Sequence, residues 1–278
     1  MNQPADHTQI SQDETVAFIG AGAMGEAILS GLLRSGYRSE QLIISDPSAD
    51  RVTHLIEKFG VRGLATTEAV AAADTVVLAV KPKDMATVLA EIGGSLKADA
   101  LVISIAAGLT TSSLEGGLPE GVAVVRVMPN TPSLVGEGMA ALSGGTHCTP
   151  QQVEAAAELM RACGQAVVVP ESSQNAVTAV SGSGPAYVFA VIESMIDGAV
   201  LLGLPRDIAR ELVVQTVFGA ATLVKESGDS ATVLRERVSS PGGTTVAALR
   251  ELDERAVRAA FQAAMEAAAL RSAELSGE

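Results

Sequence analysis

The sequence predicts an α/β protein in which a doubly wound parallel sheet is followed by an all-α domain. Three observations support this. Short apolar strands alternate with helical patterns between residues 15 and 170, as expected when helices cover a parallel sheet. A glycine-rich turn follows the first strand. Beyond Pro170 we find only helical periodicity. We therefore divide the chain into residues 1–14, 15–170 and 171–278.

The elements of the first domain follow from apolar runs and their stop signals. Pro82 ends the third strand, so residues 80–83 form a loop at its carboxyl edge, where open α/β sheets bind ligands. Thr149, Pro150 and Gln152 are typical of a capped helix start. We predict strands at residues 16–19, 42–46, 74–80, 100–105, 121–128, 139–142 and 165–169, and helices at 26–35, 47–59, 85–92 and 149–164.

The turn after the first strand carries a G-x-G-x-x-G spacing. Gly20 would make the tight turn, Gly22 would let backbone approach a pyrophosphate, and Gly25 would let helix and strand pack closely. Asp46 ends the second strand about 20 residues later, where a ribose hydroxyl would lie. An ordinary glycine-rich turn is the alternative. Because strand, helix and acid agree, the pattern favours a Rossmann-like dinucleotide-binding domain.

The charge and composition of the chain argue against some classes of binding partner. The 278 residues carry a net charge of −13, and no basic face is evident, which argues against nucleic acid and anionic membranes. The longest apolar run, residues 185–204, contains Glu193 and Asp197. We therefore expect a buried helix there and not a membrane span.

The cysteines and the N-terminus indicate a cytoplasmic protein. Cys148 and Cys163 form no paired pattern, which fits a reducing compartment without a disulfide framework or metal site. We expect Cys163 to be a small buried apolar residue and not a reactive thiol. Residues 1–14 lack an apolar segment, so we expect a flexible extension and not a signal peptide.

The helices of the C-terminal domain carry apolar residues on more sides than a single buried face would require. Leu201, Leu202, Val213, Val214, Val217 and Phe218 need a partner surface, so we infer that this domain dimerises. Its predicted helices are residues 174–180, 185–202, 205–226, 231–238, 244–251 and 253–275.

Candidate general bases are scarce. Oxidation of an alcohol usually needs a Lys or His base, and after Lys97 the chain has only Lys225 and His147. We expect His147 to lie in a surface loop. This shortage suits reduction of an imine, because a protonated C=N already attracts hydride and mainly needs positioning and a proton source.

A second glycine loop, residues 238–245, opens a helix. Its amides would form an anion site for a substrate carboxylate, and Thr244 and Thr245 add hydroxyls. Capping of the helix by a threonine, worth about 1 kcal/mol, is an equally good explanation from composition alone.

Several motifs in order resemble the pyrroline-5-carboxylate reductases, and the resemblance covers residues 16–275. The motifs follow Gly20-Ala21-Gly22-Ala23-Met24-Gly25 and are Ala79-Val80-Lys81-Pro82, Arg126-Val127-Met128-Pro129-Asn130-Thr131-Pro132, Ser181-Gly182-Ser183-Gly184-Pro185-Ala186-Tyr187 and Ser240-Pro241-Gly242-Gly243-Thr244-Thr245. The resemblance implies reduction of 1-pyrroline-5-carboxylate to L-proline with NADPH or NADH, the last step of proline biosynthesis. It also implies domain-swapped dimers, often five to a decamer, in which the substrate loop of one subunit serves a neighbour's cofactor domain.

The resemblance also implies site residues. Thr245 would bond the ring nitrogen, the amides of Gly243 and Thr244 would take the carboxylate, and Glu226 would be catalytic. The implied substrate-binding set is Gly242, Gly243, Thr244, Thr245 and Glu171. The implied dinucleotide-binding set is Ile19, Gly20, Ala21, Gly22, Ala23, Met24 and Gly25 at the pyrophosphate, Ser45, Asp46, Ser48 and Thr66 at the adenosine ribose, and Ala79, Val80, Lys81, Pro82, Ala106, Ala107 and Gly108 along the dinucleotide.

The choice of dinucleotide stays open at this point. The family favours NADPH, whereas an acid such as Asp46 repels a 2′-phosphate and favours NADH. Arg51 would either neutralise a phosphate or be a solvated helix charge. A hydroxyacid dehydrogenase using Lys225 and a dinucleotide-sensing regulator without turnover are the alternative functions. The second glycine loop argues against a sensor, which needs no carboxylate site. We expect Ser181 to Pro185 to be mainly a break between helices.

Overall fold

The structure, a computed structural model, describes residues 14–277. Residues 1–13 of the predicted extension lie outside the described part of the chain. The structure divides into two compact units, residues 14–182 with 269–277, and residues 183–268. Each unit is described by itself below.

The first unit contains an eight-stranded sheet in the order β3-β2-β1-β4-β5-β6-β7-β8. The sheet is mostly parallel, as predicted, but β7 runs antiparallel to β6, so the expectation of a fully parallel sheet is wrong for this pair. The reason is the connection, residues 129–137, which is too short for a crossover helix. The strands are β1 (Val16–Ile19), β2 (Leu42–Ser45), β3 (Arg62–Gly63), β4 (Thr75–Leu78), β5 (Leu101–Ser104), β6 (Ala123–Met128), β7 (Gly138–Gly144) and β8 (Gly164–Val168).

Most predicted helices are confirmed with shifted ends. The first begins three residues earlier than expected, so Met24 and Gly25 lie in its first turn. The Thr149 cap is confirmed, with Thr149 and Gln152 bonding reciprocally. The helices are α1 (Ala23–Arg34), α2 (Ala49–Phe59), α3 (Thr66–Ala72), α4 (Met85–Ile92), α5 (Thr111–Glu115), α6 (Pro150–Arg161) and α7 (Gln174–Val177). The elements β3, α3 and α5 were not predicted because they are too short to show a period.

The core lies on both faces of the sheet. Phe18 packs in one apolar cluster with Ile28 and Leu32 of α1, and Ile19, the next residue of β1, belongs to the opposite cluster. Cys163 is buried in the first cluster, as predicted. Because successive residues of a strand pack on opposite faces of the sheet, the core holds the central strands from both sides. The loops that follow the carboxyl ends of these strands are positioned in this way.

The chain after β8 is helical as far as residue 276, as predicted. A π-helical turn, Thr178–Gly182, follows α7. A Cβ built on Gly182 would lie 2.5 Å from Met128 Cε, so this glycine permits a close approach. The further helices are α8 (Gly184–Leu201), α9 (Arg206–Ser227), α10 (Ala231–Arg237), α11 (Thr244–Glu254) and α12 (Val257–Ser276).

The prediction that residues 185–204 form a buried helix is wrong for the single chain. None of the residues of α8 is buried; Phe189 is 61% exposed and Leu201 is 88% exposed. The stretch Glu171–Leu201 is long and apolar enough, by length and composition alone, to cross a membrane. An apolar helix face left open in one copy of a chain is also what packing against a second copy requires.

Candidate functional site

The first glycine loop is held tightly by its neighbours. Gly20 donates its N–H to the Ser45 carbonyl oxygen at 2.8 Å, and Ala79 donates to the Ile19 carbonyl oxygen at 2.8 Å. Gly20 has φ +98°, and a Cβ on it would lie 2.7 Å from the carbonyl oxygen of Ala79. Only glycine therefore fits at the turn.

The other two glycines of the loop differ in the space around them. A Cβ on Gly25 would lie 2.9 Å from the carbonyl oxygen of Gly20, whereas one on Gly22 would meet nothing within 4 Å. Gly22 is the N-cap of α1, and no side chain caps this helix. The first-turn amides have no intrahelical acceptor. The open space at Gly22 therefore lies beside hydrogen-bond donors that have no partner within the helix. This arrangement fits a pyrophosphate.

Asp46 joins the glycine loop to the end of β2. Its Oδ2 accepts a hydrogen bond from the Ala21 N–H at 2.8 Å, and its Oδ1 accepts one from the Ser48 N–H at 2.8 Å. The hydroxyls of Ser45 and Thr66 lie 3.2 Å apart. The structure thus brings together the four residues that the resemblance assigned to the adenosine ribose.

Arg51 is engaged inside the chain. Its Nε donates to the Ala21 carbonyl oxygen at 2.5 Å, and its guanidinium pairs with Glu26. Lys58 pairs with the same carboxylate at 2.8 Å. The hydrogen bond from Lys58 lowers the pKa of Glu26, and Arg51 adds to this effect against the opposing cost of burial. Glu26 therefore holds both cations of α2.

Two further loops leave the same edge of the sheet. The parallel strands β4 and β5 end at Leu78 and Ser104, and the predicted segments 79–82 and 106–108 follow directly. Gly108 has φ +74°. Because β3, β2, β1, β4 and β5 are adjacent and parallel, the predicted dinucleotide residues follow strands that end at one carboxyl edge.

Glu171 is enclosed in a polar cluster. Its carboxylate accepts hydrogen bonds from the Thr111 N–H at 2.7 Å and the Thr111 hydroxyl at 2.6 Å. Arg126, whose side chain is 4% exposed, lies 3.1 Å away. Burial raises the pKa of Glu171, but the hydrogen bonds from Thr111 and Arg126 outweigh burial and lower it overall. Glu171 is therefore a fixed, ionised group.

The second glycine loop lies in the unit 183–268. Gly243 donates its N–H to the Ser240 carbonyl oxygen at 2.9 Å, and Gly242 has φ +70°. Gly243 is the N-cap of α11, and no side chain caps this helix. The explanation of the loop as threonine capping is therefore wrong. The amides of Thr244 and Thr245 lie in the first turn without an intrahelical acceptor.

The remaining candidates lie on the surface. Lys225 and Glu226 occupy the last turn of α9, where Glu226 is exposed. His147 is exposed in the turn between β7 and α6, which confirms the predicted surface loop. Within residues 14–277 no cluster of three His, Cys, Asp or Glu side chains is arranged to hold a metal ion.

Three residues with structural roles at this edge were not identified from the sequence. Arg126 and Thr111 hold Glu171. Asn130 donates to the Ser181 carbonyl oxygen at 3.1 Å and accepts from the Met139 N–H at 2.8 Å, so it ties the loop after β6 to the π-helical turn. The one signal available was that Arg126 and Asn130 lie within a motif, since their partners are distant in sequence.

Two family models match the chain. Residues 171–275 match the model described as pyrroline-5-carboxylate reductase dimerisation. Residues 15–108 match the model described as NADP oxidoreductase, coenzyme F420-dependent. The second match spans the glycine loop and the segments that follow β4 and β5.

Relatives match over nearly the whole chain. A pyrroline-5-carboxylate reductase of Corynebacterium melassecola is 44% identical, with 94% of this chain and 98% of the relative covered. The structure of a pyrroline-5-carboxylate reductase from Coxiella burnetii superposes with a TM-score of 0.91 at 38% identity, covering 95% of this chain and 98% of that one. The Plasmodium falciparum pyrroline carboxylate reductase, with NADP bound, superposes with a TM-score of 0.85 at 31% identity, covering 95% and 99%.

Proposed function

The chain belongs to the pyrroline-5-carboxylate reductase family, and from this premise we propose which of its residues carry the reaction. As a member, it reduces 1-pyrroline-5-carboxylate to L-proline with NAD(P)H, the last step of proline biosynthesis. It is an oxidoreductase with a Rossmann-like domain and a dimerisation domain, and it forms a homo-oligomer. Family membership sets aside the hydroxyacid dehydrogenase and the dinucleotide sensor.

The proposed dinucleotide site is the carboxyl edge of β2, β1, β4 and β5. When bound there, NAD(P)H supplies the hydride. The open space at Gly22 and the uncapped start of α1 support a pyrophosphate at this point. The proposed contacts are Ile19 to Gly25 at the pyrophosphate, Ser45, Asp46, Ser48 and Thr66 at the adenosine ribose, and residues 79–82 and 106–108 along the dinucleotide.

The proposed substrate site is the loop of residues 240–245, and the observation that carries it is the missing cap of α11. First-turn amides without partners favour an anion, here the substrate carboxylate on the Thr244 amide, with Gly242 providing the turn. The Gly243 amide already donates to the Ser240 carbonyl oxygen, so it would have to exchange that partner to bind the carboxylate. The Thr245 hydroxyl is proposed to bond the ring nitrogen. Positioning of this kind suits an imine, which needs no strong base to accept hydride.

Two acids also have proposed roles. Glu226 is exposed at the end of α9, and we assign it the catalytic role of favouring the protonated imine by its negative charge. Glu171 is assigned to the substrate side as a fixed charge, since Thr111 and Arg126 already bond its carboxylate. A nearby negative charge favours the protonated form of an imine over the neutral form.

Three broader assignments belong to the proposal. Residues 15–170 bind the dinucleotide, and residues 171–278 provide dimerisation and substrate binding, supported by the family model over residues 171–275. Assembly into a dimer or a larger oligomer, up to a decamer, would cover the exposed apolar residues of α8. The enzyme works in the cytoplasm, which the free thiols of Cys148 and Cys163 support.

The test is a spectrophotometric assay with identified product. The full chain is mixed with 1-pyrroline-5-carboxylate, and consumption of NADPH and of NADH is followed in parallel. We expect fast consumption with formation of L-proline. Dinucleotide binding without turnover would contradict the proposed substrate site, and turnover with a different cyclic imine only would contradict the assigned substrate.

A further inference from the structure

The carboxylate of Asp46 is fixed where the second strand ends. Its two oxygens accept hydrogen bonds from the Ala21 and Ser48 amides, each at 2.8 Å. These bonds hold the side chain against the glycine loop. An acid at this position of a dinucleotide-binding sheet accepts hydrogen bonds from the ribose 2′-hydroxyl. Asp46 is thus oriented before any ligand binds.

The two cations of α2, the helix that follows Asp46, are committed elsewhere. Arg51 and Lys58 are the two basic side chains of α2 other than a histidine, and both pair with Glu26. Arg51 also donates to the Ala21 carbonyl oxygen. Its Glu26 partner is only 19% exposed and stays ionised. To meet a ribose phosphate, Arg51 would have to leave a pair in which it is already neutralised.

A 2′-phosphate adds close to two negative charges and has no proton to donate to a carboxylate near neutral pH. Beside Asp46, a 2′-phosphate would replace the hydrogen bond from the ribose 2′-hydroxyl by a contact between two negative charges. Recruiting Arg51 would break its ion pair with Glu26 and its hydrogen bond to the Ala21 carbonyl oxygen, while Glu26 would keep Lys58. The phosphate would therefore gain a cation only at the cost of existing contacts. Like charges in such a contact lower affinity strongly.

From this we infer that Asp46 is the specificity-determining residue of the dinucleotide site, and that this chain binds NADH more tightly than NADPH. The inference rests on the proposed dinucleotide site and goes beyond it by choosing between the two cofactors. The inference concerns the relative affinity for the two cofactors, and NADPH is still expected to react.

Equilibrium binding tests the preference without relying on turnover. Dissociation constants of NADH and NADPH for the full chain are measured by titration calorimetry at one salt concentration, with 5′-AMP and 2′,5′-ADP as smaller probes of the same ribose. We expect at least about tenfold tighter binding of the form without the 2′-phosphate. Equal binding, or tighter binding of NADPH, would overturn the inference while leaving the proposed reaction intact.

A variant pair locates the cause. Asp46→Asn removes the charge with little change of shape and should reduce the preference at least about threefold. Asp50→Asn removes an equal charge from an exposed site on α2 and should leave the ratio unchanged. Equal changes in both variants would indicate general charge and overturn the role of Asp46. If neither dinucleotide binds the native chain, the site itself is wrong, and both proposals fail together. The titration of the native chain tests the preference by itself, so the inference can be overturned even where a variant fails to fold.

Discussion

The Glu171 carboxylate and the Arg126 guanidinium lie 3.1 Å apart, across 45 residues of sequence. Arg126 is on β6, which lies between β5 and β7 in the sheet, and its side chain is almost entirely buried. The same carboxylate holds the first residue of α5. The Glu171 carboxylate therefore joins the start of the helical region to β6 and to the first residue of α5.

Breaking this pair should destabilise the fold. In Glu171→Gln the Arg126 charge loses its partner inside the protein, so we expect the free energy of unfolding to fall by about 2 kcal/mol. The measurement is denaturant unfolding at one fixed protein concentration, because the chain oligomerises. Adding Arg126→Met should recover part of the loss, since the unpaired charge is then gone.

A surface pair provides the control for this comparison. Arg250 and Glu254 pair at 2.7 Å with both side chains largely in solvent. Glu254→Gln should change the free energy of unfolding by less than about 0.5 kcal/mol. An equal effect of the two Glu→Gln changes would show that burial of Arg126 contributes nothing.

The same ion pair should make stability depend on pH. The pKa of Glu171 lies below its ordinary value of 4.5 in the folded chain, because Thr111 and Arg126 bond its ionised form. Its contribution is then complete above the ordinary pKa and is lost as the pH falls through the folded pKa. The stability difference between the native chain and Glu171→Gln should therefore shrink from pH 6 towards about pH 3. A constant difference across this range would contradict the assignment.

The first glycine loop should separate folding from binding. Gly20→Ala places a Cβ against the Ala79 carbonyl at a positive φ and should cost more than about 2 kcal/mol of unfolding free energy. Gly22→Ala meets open space and should cost less than about 1 kcal/mol. Its methyl group would occupy the proposed pyrophosphate position and weaken dinucleotide binding by at least about tenfold. Normal affinity in a folded Gly22→Ala variant would mean that the pyrophosphate lies elsewhere.

The role proposed for the Thr245 hydroxyl is directly testable. Thr245→Val keeps the shape of the side chain and removes the hydroxyl proposed to bond the ring nitrogen, so kcat/KM for the imino acid should fall by about 100-fold. Dinucleotide affinity should not change, since the hydroxyl is assigned to the substrate. Thr232→Val, which removes an exposed hydroxyl from α10 outside the loop, is the control and should match the native chain. Full activity of Thr245→Val would remove the hydroxyl from the mechanism.

Local patterns determined much of this protein. The glycine spacing, the apolar strands and the capping signals depend on residues within a few positions of one another, and they predicted β1, α4 and the α6 cap correctly. Ordered motifs also identified the family. The periods of β3 and α5 were too short to recognise, and the direction of β7 depended on the length of one connection.

The tertiary structure decided the contacts that join distant residues. Asp46 was predicted as an acid near a ribose, but only the fold shows that it bonds the Ala21 amide, 25 residues away. Glu171 was assigned to the substrate, but only the fold brings Thr111 to it from 60 residues away. The fold also decided which residues of the predicted partner surface stay open, since Leu201 and Leu202 are exposed whereas Val213 is buried in the single chain. The reason is physical: a sequence pattern records what a residue can do, whereas hydrogen bonds and ion pairs across a sheet edge depend on which strands lie side by side.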